Sequence, residues 1–212
     1  ELIENKSEIR TQRIQDVGPG NPVNLYDMAG KIHNDILDTY LSNTNYTVSL
    51  QQICQKVDSI SGLNTDLLTL EPNNTLNFEE IQQTIDNPET ILEQAIADSP
   101  MTNPAKICLF NFLNSLLVWQ NNDYFVIHQS IISFELSVIS NPAFSPEEKR
   151  IILTTSSISR YSNYYERKRK DKDWETSVAS RAAAVQGAND NCSTAINKSI
   201  VTGLLVYHLQ NQ

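Results

Sequence analysis

Three times in this chain a capping side chain and then proline open a stretch of helical periodicity: Asn87-Pro88, Asn103-Pro104 and Ser145-Pro146. Proline suits the first helical position, because the N–H it lacks has no intrahelical partner there and its fixed φ is already helical. The third of these is the strongest, since Glu147 and Glu148 follow and set negative charge against the helix N-terminus. Only six glycines occur in 212 residues, too few for a fold built on many tight β-turns. The reading is therefore all-α, a compact multi-helix bundle of about seven or eight helices with no significant sheet.

The helices can be placed by their apolar spacing. Tyr26 to Leu41 is the first, entered through Asn24, and Ser49 to Ile60 the second, closed by Gly62 in a left-handed conformation. Asn77-Phe78-Glu79-Glu80 opens a short one to about Ile85. The helix opened by Pro104 is apolar over a wide arc as far as Trp119, so it is expected to be central and largely buried. Segments 123–140, 146–169, 171–188 and 191–209 complete the set, with Ala179, Ala183 and Gly187 spaced for close helix packing. Residues 1–22, ending in Val17-Gly18-Pro19-Gly20-Asn21-Pro22, read as a flexible entry to a single helical domain over 23–212.

Charge is divided along the chain. Residues 17–148 hold 16 acidic and 3 basic side chains, whereas 149–212 hold 10 basic and 5 acidic, within a net charge of −9. Such a balance disfavours nucleic acid as a partner. The basic run Arg167, Lys168, Arg169, Lys170 and Lys172 is the one candidate contact for an anionic surface, although cations also suit a helix C-terminus. Cys54, Cys108 and Cys192 lack metal-ligand spacing and form no disulfide framework, with one bridge left open. No membrane-length apolar run is present.

Chemistry-bearing residues concentrate in the first helix. Asp27, Gly30, His33, Asn34 and Asp38 lie within twelve positions. Gly30 in mid-helix suggests that another backbone passes close by. His33 falls on the apolar stripe, which favours a core histidine. Asp27, Asn34 and Asp38 share a polar edge that could line a groove, or could be a solvated surface with Asp27–Lys31 and Lys31–Asp35 pairs. His128 and Glu135, seven apart, face the same way as a core polar pair. No metal-binding His pair, phosphate loop, dinucleotide fingerprint or nucleophile elbow occurs, so no metal and no cofactor is expected.

The stretch Asn21-Pro22, then Asp27-Met28-Ala29-Gly30-Lys31-Ile32-His33-Asn34-Asp35-Ile36-Leu37, resembles the start of uncharacterised exported and lipoprotein-like helical proteins of Bacteroidetes. Ile158–Tyr165 is similar to their Ser-x-Tyr-Trp region, and Ser177–Ala188 to their small-residue ending. The resemblance implies export to the cell envelope or beyond, with a lipid anchor upstream of Glu1, and supplies no catalytic residue. A chain opening on Glu1 rather than Met fits a mature region downstream of an export signal. The expectation is a helical binding or interaction protein with a protein or cell-envelope partner. Two alternatives stand beside it: a hydrolase or metal-dependent enzyme with a groove around Asp27, His33, Asn34 and Asp38, and a binder of anionic surfaces through Arg167–Lys172.

Overall fold

Most helix starts are fixed by a side chain that satisfies an otherwise unpaired backbone N–H. The structure, a computed structural model, describes residues 17–42, 49–72, 75–119, 121–168 and 177–210, without the side chains of 166–168. Ser49 and Gln52 form a reciprocal capping box before α2 (Leu50–Ser61), following α1 (Asp27–Ser42). Asn77 accepts from Glu79 N and Glu80 N to open α3 (Phe78–Asp86). Next come α4 (Pro88–Ala97), α5 (Asn103–Trp119) and α6 (Tyr124–Ser140), the last capped by Asp123.

Ser145 Oγ accepts from Glu148 N at 3.2 Å while Ser145 N donates to Glu148 Oε2 at 2.7 Å, a second reciprocal box, opening α7 (Pro146–Lys168). Ser177 opens α8 (Val178–Asp190), and Asn191, accepting from Thr194 N, opens α9 (Cys192–Gln210). The described residues thus hold nine α-helices and a short 3-10 turn at Leu67–Thr69, with no strand.

That is one or two helices more than expected. The start signal at Asn87-Pro88 holds: Asn87 ends α3 through a bond from its N–H to Gln83 O and Pro88 starts α4 afresh, although the Asn87 side chain makes no capping bond. Gly62 does close α2, but with an ordinary φ of −65° rather than a left-handed one. The packed structure reaches back to Asn21, which is buried, while residues 1–16 of the expected entry segment lie outside the described residues. So do 171–176 at the start of the expected 171–188 helix.

The centre of the bundle also differs from the expectation. In α5 one stripe is buried (Ala105, Leu109, Phe112, Leu113, Leu116), but Ile107 is 60% exposed and Val118 74%. The helix packs against α4 and α6, with Phe112 stacked on Phe134 at 4.1 Å, and lies at the edge. The enclosed helices are α7, α8 and α9. Positions 151–163 of α7 are all buried, although they include Thr154, Thr155, Ser156, Ser157, Ser159 and Arg160.

Small side chains permit this crowding. A Cβ on Gly187 of α8 would lie 2.4 Å from Ala195 Cα of α9, so these two helices touch backbone to backbone. The buried hydroxyls find acceptors within their own helix, as Thr155 Oγ1 does on Ile151 O and Ser159 Oγ on Thr155 O, both at 2.9 Å. Helix α1 lies on α7 and α9, α2 on α9, α3 on α9, α4 and α8, α4 on α8, and α6 on α7. No helix among the described residues is long and apolar enough to cross a membrane.

Candidate functional site

The residues singled out on α1 meet α7 in a buried polar clasp. Gly30 provides the close approach: its N–H donates to Ser157 Oγ at 3.0 Å, and a Cβ there would fall 2.5 Å from Ser157 O and 2.4 Å from Tyr161 Cδ2. Ser157 Oγ in turn donates to Asp27 O at 2.9 Å. His33, buried, places Nδ1 2.8 Å from Asn34 Oδ1, and Asn34 Nδ2 donates to Tyr161 O at 2.9 Å. Asn24 adds a bond from Nδ2 to Leu153 O. Asp38, farther along α1, is only half-buried.

At its heart is Arg160, fully enclosed, held between two carboxylates. Its Nη2 donates to Asp27 Oδ1 and its Nε to Glu135 Oε1 at 3.3 Å. Each carboxylate oxygen has further donors or its own. Asn21 N reaches Asp27 Oδ1 at 3.0 Å, and Tyr161 OH donates to Asp27 Oδ2 at 3.2 Å. Ser156 Oγ donates to Glu135 Oε1 at 2.9 Å, and Asn21 Nδ2 to Glu135 Oε2 at 2.6 Å. Burial, then the Asp27 charge, pushes the Tyr161 phenol up to about 12, so it stays a donor. Two anions, one cation and their donors therefore join the entry segment, α1, α6 and α7.

Chemically the clasp engages all four carboxylate oxygens of Asp27 and Glu135, with the Asp27 side chain 22% exposed. A general base or metal ligand needs a lone pair facing substrate or ion, and here each carboxylate oxygen already accepts from at least one protein donor. Among the described residues no three His, Cys, Asp or Glu side chains lie close enough to hold a metal ion. The expected Asp27–Lys31 pair is not formed, because Lys31 Nζ bonds Asp35 at 3.1 Å and Asp66 at 2.9 Å. His128 and Glu135 are both buried, yet Glu135 turns to Arg160 and Asn21 while His128 Nδ1 lies 3.4 Å from Gln129 Nε2. Burial and then the Arg160 charge hold His128 below the ordinary histidine range. In the sequence Asn21 and Arg160 stand only within longer stretches and carry no site role of their own. The signal for them was Glu135, one turn from Ile131 on the apolar stripe, since a carboxylate there requires a cation partner.

An open concavity lies elsewhere. A groove of ≈ 550 Å³ runs between α2, the 62–72 connection and the start of α3. Cys54, Leu67 and Ser193 form buried parts of its wall, and Leu68 and Phe78 stand exposed beside it. Asp58 and Glu71 bring exposed carboxylates, and partial burial raises the Asp58 carboxyl above its ordinary range. Nothing in the periodicity of these segments marks a groove, because it arises from how the connection folds back on α2.

The three thiols are free, so the bridge left open by the sequence is absent. Of the basic run, Arg167 and Lys168 end the α7 backbone, their side chains undescribed, and Arg169, Lys170 and Lys172 lie outside the described residues. The chain matches no family model, no curated protein and no solved structure.

Proposed function

We propose that this chain is a helical binding module whose ligand seat is the groove between α2 and α3, with the Asp27–Asn34 region serving as the fastening of the bundle. One observation carries the reading: the polar groups of Asp27 and Asn34 are spent on Arg160, Asn21, Tyr161 and His33, while a ≈ 550 Å³ groove of mixed character faces solvent. Sites for small ligands are typically concave, largely apolar and supplied with a few polar groups, at about 300–1,000 Å³. The resemblance of Asn21–Leu37 to exported proteins supports a place at the cell envelope or outside the cell.

The test is a fragment screen by NMR on the labelled protein. Binding in the groove shifts amide signals of 51–62, 67–71 and 75–78 together, and leaves those of 27–34 in place. Hits that instead gather at Asp27, His33 and Asn34 would overturn the assignment in favour of a site on α1.

A further inference from the structure

The groove carries charge of one sign. Asp58 and Glu71 line it, and among the described residues no Lys, Arg or His does. Neither carboxylate is paired with a cation among those residues, and the nearby Lys56 of α2 instead lies 4.7 Å over the Tyr40 ring. The surrounding region, 17–148, is strongly acidic in sequence. An anionic ligand would be repelled here and a cationic one drawn in.

Apolar surface and one unsatisfied polar group complete the description. Leu67, Leu70 and Leu76 offer a hydrophobic bed, and Phe78, 45% exposed, adds an aromatic side chain of the kind that attracts ammonium groups. Ser193 of α9, 2% exposed, lines the groove, and its buried hydroxyl has no hydrogen-bond partner. A buried hydroxyl left unpaired costs stability, and a ligand N–H or O–H would relieve it.

Building on the binding reading above, we infer that the groove takes an organic amine: an apolar body on Leu67, Leu70 and Leu76, its protonated nitrogen held between Asp58 and Glu71, and a polar hydrogen reaching Ser193. The volume suits one small molecule rather than a segment of a macromolecule.

Three probes of one shape separate the terms: phenylbutylamine, phenylbutanol and phenylbutyrate, titrated calorimetrically into the whole chain at neutral pH and low salt. The amine is expected to bind at one site roughly tenfold tighter than the alcohol, through two ion pairs to exposed carboxylates, and the acid weakest of all. Asp58→Asn with Glu71→Gln should bring the amine to the affinity of the alcohol and leave the alcohol unchanged. Leu76→Arg should abolish binding of both, and Leu68→Arg, at an exposed position that tolerates the change in folding, should weaken the amine most. Equal binding of amine and alcohol, insensitive to the carboxylate variants but lost in Leu76→Arg, overturns the amine assignment and keeps the groove. Absence of binding by all three, or binding indifferent to both leucine variants, overturns the groove itself.

Discussion

Arg160 of α7 donates to Asp27 at the first turn of α1 from a position with no solvent exposure, and so fastens the first helix to one of the central ones. The same guanidinium bonds Glu135 of α6, also fully buried. Removing the cation strands a buried carboxylate, a loss of about 3–5 kcal/mol. Arg160→Ala is expected to lose that much in urea denaturation. Arg160→Lys recovers little, because one ammonium cannot span both carboxylates as the planar fork does. A double change, Arg160→Met with Glu135→Leu, should be milder than Arg160→Ala alone. An additive double variant would show that the two side chains are not coupled.

Glycine at two helix positions is demanded by a neighbouring backbone rather than by φ. At Gly30 a methyl would meet Ser157 O, and at Gly187 it would meet Ala195 N and Cα, all nearer than 3 Å. Alanine is the better helix former by about 1 kcal/mol, so propensity alone predicts that both Gly→Ala changes stabilise. Overpacking of this kind costs about 1–3 kcal/mol and should win. Gly30→Ala and Gly187→Ala are expected to lower Tm, while Gly18→Ala, with open space around it, leaves Tm unchanged. A rise in Tm for either helical variant would mean that the helices can separate without loss.

Glu148 ties the start of α7 to the residue before α5. Its carboxylate accepts from Thr102 Oγ1, Thr102 N at 2.8 Å and Ser145 N at 2.7 Å. These bonds, with that of the Thr102 hydroxyl foremost, hold its pKa at about 2. A depressed folded pKa adds stability that is present above the ordinary carboxylate range and disappears as pH falls toward 2. Glu148→Gln should cost about 2 kcal/mol at neutral pH, as for hydrogen bonds to a charged group, and should flatten the acid limb of the stability profile. An unchanged slope between pH 5 and 2 in that variant would remove Glu148 from the account.

How far the sequence revealed this molecule depended on the scale of the signal. Caps are local, so Ser49, Asn77 and Ser145 marked three helix starts without knowledge of the fold. Burial is not local. The apolar α5 reads as central yet lies at the edge, whereas α7 is enclosed over 151–163 although it carries Thr154, Thr155, Ser156, Ser157 and Ser159 there. Hydropathy misjudges both, because hydroxyls that bond back to their own helix can be buried cheaply and small side chains let neighbours crowd in. The site followed the same pattern. Gly30 announced a close approach, but its partner Ser157 is 127 positions away, and Arg160 is a further three. The groove depends on a connection lying back across α2, and periodicity carries no trace of that.

Histidine titration gives a second pH window. His128 and His208 are both held below the ordinary histidine range, first by burial and then by a nearby cation, Arg160 for one and Lys56 for the other. The unfolded chain then binds more protons than the folded one once pH drops below about 6.5. Stability contributed by the neutral rings is complete above that value and is lost as pH falls. His128→Gln should reduce the loss between pH 6.5 and 5, measured by urea midpoints. Native-state NMR should show the His128 ring titrating later in acid than a histidine in the unfolded chain.

Cys54 supplies the opposite sign. It is 2% exposed on the inner side of α2, and burial, followed by the charge of Asp58, pushes its thiol up to about 12. The folded chain keeps that proton where the unfolded chain releases it, so the stability it contributes is complete below the ordinary thiol range and falls as pH rises from about 9 toward 12. Reactivity follows the same proton, because the thiolate is the nucleophile. In native protein at neutral pH, a thiol reagent is expected to modify Cys54 only as fast as the bundle opens. In denaturant all three free thiols react at once. The variant Cys54→Ala should therefore remove the slowest labelling phase and leave the faster ones in place. Rapid native labelling at Cys54 would show that the groove wall opens without unfolding, which would make its floor a moving part rather than a fixed seat.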